Sequence, residues 1–178
     1  MAKSRIIETG YGASNAGDSS VERSAVIEIV PIKKLRRSRR TARYHSKTQI
    51  KQIAESIASF GFINPIVADT FNRVVAGFGR LAAAEILHFR AVPVIRVRDL
   101  SETEIRAYML ADNKLGEKAG WDRALLIVEL EELEVALPEI GLDLSITGFE
   151  QNEIDTLFAD FDDGSALAAE AGAMAWRL

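Results

Sequence analysis

Val74-Val75-Ala76-Gly77-Phe78-Gly79-Arg80-Leu81-Ala82-Ala83-Ala84 is the stretch whose reading decides the fold. Three residues that suit a buried strand run into a glycine pair, and an alanine-rich run with high helix propensity follows. The pattern predicts a strand, a turn at Gly77-Phe78-Gly79 and a helix over Leu81 to Leu87. Glycines let backbone approach an anion closely, and a helix start aims free N–H groups at it. Arg80 is the informative residue, because a cation in the first helical turn opposes the helix dipole unless an anion lies between them. Two other readings stay open. Arg80 could instead pair with a carboxylate such as Asp69 or Glu85, leaving the glycines only to make the turn. Gly77 to Ala82 also has the form G-x-G-x-x-A, with Asp99 near the end of the next strand, where a dinucleotide fold carries its ribose-binding acid. The chain around it does not supply the two halves of a large parallel sheet that such a fold needs.

Outward from this turn, Ile66-Val67-Ala68 and Val74-Val75-Ala76 read as strands around a polar turn at Asp69 to Arg73, and Val92 to Val97 as another. The step from the second of these through the helix to the third resembles a βαβ crossover. Upstream, Val26 to Val30 is a short β-type run stopped by Pro31. Ser46-Lys47-Thr48-Gln49 has the form of a capping box and opens an amphipathic helix, with Ile50, Ile53, Ala54 and Ile57 at helical spacing and Gly61 as its stop. Downstream the chain reads as helical. Ser101-Glu102-Thr103-Glu104 caps a helix to about Leu115. Asp122 caps another, with Leu126, Leu130, Leu133 and Leu137 on one face and Pro138 at its end. A last short helix runs through Ile154, Leu157 and Phe158. The leucine face can pack internally or on a second copy, and internal packing is the default for such a stripe.

The expected organisation is therefore a flexible tail over 1–24, an α/β core over 25–100, a helical extension of the same domain over 101–160, and a linker or disordered end over 161–178. The fold class is α+β: a small mixed sheet with flanking helices and a helical C-terminal half.

The net charge of −4 conceals an asymmetry. Residues 1–99 carry 17 Lys and Arg against 8 Asp and Glu, and residues 100–178 carry 5 against 18. A basic front half suits an anionic partner such as nucleotide or nucleic acid. Its densest part runs from Lys33 to Arg43, and Arg36, Arg37, Arg39, Arg40 and Arg43 are the candidates for gripping a DNA backbone. No aromatic residues interleave with them, and no helix-turn-helix pattern is evident. The absence of cysteine excludes disulfides, thiolate zinc sites and cysteine redox chemistry, and two histidines argue against a histidine-rich metal site. No apolar run is long enough to span a membrane, and the expected setting is cytoplasmic. Asp112-Asn113-Lys114 is a second polar cluster: its oxygens are hard ligands that suit Mg²⁺, and Lys114 could neutralise phosphate, although polar residues commonly finish a helix.

An ordered series of blocks resembles a known family. Thr41-Ala42-Arg43-Tyr44-His45-Ser46 with Gln49-Ile50 is similar to the "N-A-R-T-H-S…Q-I" opening of the ParB-like domain at the front of bacterial DNA-modification methylases. Phe60-Gly61-Phe62-Ile63-Asn64-Pro65-Ile66 continues it, and Val75 to Arg80 resembles its "I-A-G-H-G-R" box. Ala107 to Leu115, Ala119-Gly120-Trp121-Asp122 and Leu144 to Phe149 follow in order. The resemblance runs from about Ile27 to Phe158 and implies a ParB/sulfiredoxin-like fold.

The resemblance also implies nucleotide phosphate binding by Gly77, Phe78, Gly79, Arg80, Asn113 and Lys114. The cofactor would be a CTP-like nucleoside triphosphate, with Mg²⁺ on Asp112 and Asn113. Phe78 and Gly79 stand where partition proteins have the charged pair of "G-E-R-R", and Lys114-Leu115 replaces the rest of "E-N-x-Q-R". Phe78 also occupies the position of the sulfiredoxin catalytic cysteine, which removes that reductase chemistry. No paired histidines or tight carboxylate cluster suggests catalysis by this segment alone, and methylase motifs are absent. The expected function is a nucleotide- or DNA-phosphate-binding domain serving DNA modification or segregation, with a C-terminal or separate methyltransferase module as partner and a homodimer as one assembly open to it. The alternatives are a metal-dependent nuclease or nucleotidase, or a non-catalytic remnant of a truncated DNA methyltransferase.

Overall fold

The computed structural model describes residues 26–38 and 42–159. The expected tail over 1–24 and the expected linker over 161–178 lie outside the described residues. The chain divides into two compact units, residues 1–118 and 119–178.

The first unit is built on a four-stranded sheet of β1 (Ile27–Pro31), β2 (Ile66–Asp69), β3 (Val74–Ala76) and β4 (Ala91–Val97), in the order β1-β4-β2-β3. β1 pairs antiparallel with β4, β2 antiparallel with β3, and β2 parallel with β4. The mixed sheet is thus as expected, but β3 and β4 run in opposite directions. The step from β3 through the following helix to β4 is therefore no parallel crossover; the parallel partner of β4 is β2. The hairpin made by the polar turn at Asp69 reverses the chain before the helix, which periodicity alone does not reveal. The sheet gives no second mononucleotide half, so the dinucleotide reading falls.

Side chains alternate across the sheet, and both faces of β3 are buried. Val74 joins Val30, Ile66, Ala68, Val92 and Val94 in a core closed by Leu81 and Ala84 of α2 (Phe78–Ile86). Val75 meets Ile105 and Met109 of α3 (Glu102–Gly116) on the other side. Burying a side chain such as Leu81, 2% exposed, contributes about 2 kcal/mol before entropy is counted. α1 (Lys47–Phe60) packs on α2 through Ala54, Ile57 and Ala83, flanked by Ile50 and Ile53, the face that helical spacing predicts. The N-cap of α1 is Ser46, which accepts from the Gln49 backbone N–H. The Gln49 side chain does not close the box; it bonds the His45 ring instead, at 3.0 Å. At α3 the Ser101 and Glu104 box is complete.

α2 begins at Phe78, three residues before the expected Leu81, so Gly79 and Arg80 lie inside its first turn. Glycine's low propensity argues against that start, and tertiary fit overrides it. A Cβ on Gly79 would stand 2.9 Å from Ile53 Cδ1 and 3.3 Å from His45 Cε1, so the bare Cα lets this turn lie flush against those two side chains.

The second unit opens with α4 (Arg123–Ala136), capped by Asp122, whose carboxylate accepts from the Leu125 N–H. Leu130, Leu137, Leu144 and Ile154 form its core with Leu126 and Leu133 alongside, so the leucine face packs internally. Trp121 and Phe149 rings meet at 5.5 Å. A helix, α5, follows over residues 151–159.

Candidate phosphate-binding cleft

The end of β3, the start of α2 and the last turns of α3 meet at one place in the first unit. There they enclose a cleft of about 460 Å³, lined by Gly77, Phe78, Gly79, Arg80, Asp112 and Asn113. Gly77 is the N-cap of α2 with φ of 91° and ψ of 31°, a left-handed conformation that glycine adopts without steric cost. It offers no side-chain cap, so the first N–H groups of α2 keep no side-chain partner from the cap position. A Cβ at Gly77 would come 3.0 Å from Arg80 Nη2 and 3.2 Å from Arg80 Nε; the missing side chain is what lets the guanidinium fold back over the turn.

Arg80 decides between the readings of this turn. Asp69 is taken by Arg73 at 2.9 Å, and Glu85 by Arg37 at 2.6 Å. Neither expected carboxylate reaches Arg80, so its pairing with Asp69 or Glu85 is excluded. Its Nη2 donates to the Pro65 carbonyl at 3.3 Å, and its buried Nε has no hydrogen-bond partner among the described residues. A charged donor buried without an acceptor is costly, and such groups call for an explanation. Burial depresses the Arg80 guanidinium below the ordinary arginine value, while Asp112 and Tyr108 oppose the shift. It remains a cation at neutral pH, as arginine does throughout proteins.

Asp112 faces this cation from α3. Its Oδ1 lies 3.5 Å from the Tyr108 hydroxyl, and burial together with Asp112 raises the Tyr108 phenol above its usual value. Asn113 turns its amide back onto its own helix, donating to the Met109 carbonyl at 2.6 Å. Phe78 lines the cleft and packs against the cores on both sides of the sheet. Lys114 does not line the cleft itself; its ammonium meets Glu117, which does, at 2.9 Å.

The basic stretch divides. Arg43 lines the glycine cleft, donating to the Asn113 carbonyl at 3.3 Å and to Glu117 at 3.1 Å. Arg36 and Arg37 lie elsewhere, along β3, where the Arg36 backbone exchanges hydrogen bonds with Asn72 and Val74. Arg39 and Arg40 lie outside the described residues. His45 and Ile53 also line the cleft and are not among the predicted site residues; His45 falls in the Thr41-to-Ser46 family block, and Ile53 is signalled only as part of the apolar face of α1. Among the described residues no group of three His, Asp or Glu sits close enough to hold a metal ion.

A four-stranded mixed sheet carrying a left-handed glycine, a helix start and an arginine with a buried Nε at one strand end makes the first unit an α+β domain of the ParB kind. The model of the ParB N-terminal domain family matches residues 15–114, and the chain belongs to that family. A second family model, the ParB-methyltransferase HTH domain, matches residues 124–173, where the sequence reading recognised no helix-turn-helix.

The ParB-like nuclease domain-containing protein YnaK of Escherichia coli is 39% identical over 74 residues, 42% of this chain and 85% of that protein. The probable chromosome-partitioning protein ParB of Rickettsia felis is 27% identical over 114 residues, 64% of this chain but only 40% of its own length. Among solved structures, C-terminally truncated ParB from Caulobacter crescentus, complexed with CTP-γ-S, superposes with a TM-score of 0.53 at 19% identity. It covers 61% of this chain and 62% of that one, a likeness of fold. No helix among the described residues is long and apolar enough to cross a membrane.

Proposed function

We propose that this chain binds the phosphates of a nucleoside triphosphate at Gly77–Arg80 and serves DNA modification or segregation as a binding module. The observation that carries the reading is the unpartnered buried Nε of Arg80 beside a side-chain-free helix start. A phosphate there would accept from the first N–H groups of α2 and from the guanidinium together, and would offset the dipole conflict of a cation at a helix N-terminus. Arg43 adds a second cation to the same cleft. Asp112 supplies one carboxylate, which suits Mg²⁺ shared with phosphate oxygens, since that ion is commonly held by one or two carboxylates plus substrate phosphates. The CTP-γ-S complex of the Caulobacter protein makes CTP the first nucleotide to try. The ParB-methyltransferase HTH match supports a setting beside a methyltransferase, on DNA.

Titration calorimetry of the full chain with CTP, ATP and inorganic triphosphate, with and without Mg²⁺, tests the reading. Arg80→Ala should weaken binding at least roughly tenfold, the scale of one charge-assisted hydrogen bond lost, with an unchanged melting curve showing that the variant folds. Unchanged affinity in Arg80→Ala, or no binding of any of the three, contradicts it. A nuclease reading gains nothing from the cleft, whose lining has one carboxylate on the Arg80 side and one, Glu117, engaged by Arg43 and Lys114.

A further inference from the structure

A second cleft in the first unit, about 700 Å³, lies along β3 and α3 and is lined by Arg36, Arg37, Phe71, Arg73 and Arg106 over an apolar floor of Ile105 and Met109. We propose that it binds single-stranded nucleic acid, with one unpaired base stacked on Phe71 and the flanking phosphates held by Arg36 and Arg106. This site is separate from the glycine cleft and does not depend on its reading.

The placement of Phe71 carries the argument. It is 77% exposed at the tip of the β2–β3 hairpin, so core packing does not account for it. Yet the tip beneath it is over-determined. Asp69, a buried carboxylate only 3% exposed, accepts from the backbone N–H groups of Phe71 at 2.9 Å and Arg73 at 2.7 Å, and from Arg73 Nε at 2.9 Å. Arg96, on β4, donates to the Asp69 carbonyl at 2.8 Å and to Asn72 Oδ1 at 2.7 Å, securing Asn72 at a φ of 63°. A rigid tip that presents an exposed aromatic ring loses little entropy when a ligand stacks on it.

The cations around the ring differ in availability. Arg73 is held by Asp69 and Glu102, and Glu102 is the principal cause of the rise in its guanidinium pKa. Arg37 meets Glu85 in an exposed pair, which an anion can open at small cost. Arg36 and Arg106 have no ion pair among the described residues. An aromatic face beside free arginines is the arrangement that binds unpaired bases without regard to sequence. A closed duplex would use the arginines alone, because its bases present no face to Phe71. An acidic peptide would also meet the arginines, and the test separates it.

Fluorescence anisotropy of the full chain with labelled oligo-dT and oligo-rU of about 12 nucleotides, a length within the usual site sizes, reads the proposal. Binding of either supports it. Phe71→Ala should weaken binding roughly tenfold, Phe71→Trp should restore it, and Arg106→Ala should weaken it and reduce its salt dependence. Arg80→Ala should leave it unchanged, so failure here and failure of the glycine cleft give different results. Equal affinity in Phe71→Ala, equal loss of duplex and single-strand binding in that variant, or displacement by a poly-glutamate peptide at matched charge overturns the proposal.

Discussion

Gly77 and Arg80 work as a pair. The left-handed backbone of Gly77 turns the chain from β3 into α2, and its bare Cα leaves the space that the Arg80 guanidinium occupies. Alanine at 77 would meet both constraints, an unfavourable φ and a contact of 3.0 Å with Arg80 Nη2. Gly77→Ala should therefore destabilise the protein by about 1–2 kcal/mol, read from urea unfolding, and also weaken nucleotide binding. Full stability with full binding would show that the turn tolerates a side chain and that the pairing is incidental. The residue types of this turn were legible in the sequence, because glycine pairs after strands and a cation in a first helical turn have few physical explanations. The partners were not. Nothing in the spacing told that Asp69 is occupied by Arg73 and Glu85 by Arg37, which leaves Arg80 to the cleft.

At the scale of elements, the strands and helices follow from hydrophobic period and caps. The α3 box at Ser101 and the Ile50 to Ile57 face of α1 are where the sequence puts them. Two features escaped. The start of α2 at Phe78 depends on the close fit of Gly79 against Ile53 and His45, a contact between segments far apart in the chain. The direction of β3 depends on the hairpin at Asp69, whose side chain replaces backbone partners for Phe71 and Arg73. That hairpin is a stability element in its own right. Asp69→Ala would strand two backbone donors and remove one ion pair to the part-exposed Arg73 guanidinium, and should cost about 2 kcal/mol in chemical denaturation. A cost under about 0.5 kcal/mol, the ordinary range for surface changes, would mean that the hairpin holds without its carboxylate.

For the whole molecule, the basic front half was legible as a tendency toward anions and misleading as a count of free charge. α3 returns Glu102 to Arg73, its C-cap residue Glu117 pairs with Arg43, and β1 gives Glu28 to Arg96. What remains is a set of separate arginine-bearing clefts on the first unit instead of one uniform basic surface. In the sequence the candidate DNA-binding arginines form a single cluster because they are neighbours in the chain. The fold separates Arg43 from Arg36 and Arg37 and brings Arg36 together with Phe71 and Arg106.

The central claim is that the first turn of α2 holds phosphate through its backbone. Amide chemical shifts of the ¹⁵N-labelled full chain, followed during addition of CTP with Mg²⁺, test it most directly. The account predicts that the largest shifts fall on the N–H groups of Phe78, Gly79 and Arg80, and that Arg80→Ala diminishes them. Shifts confined to other segments, or an unmoved spectrum at saturating nucleotide, would contradict it.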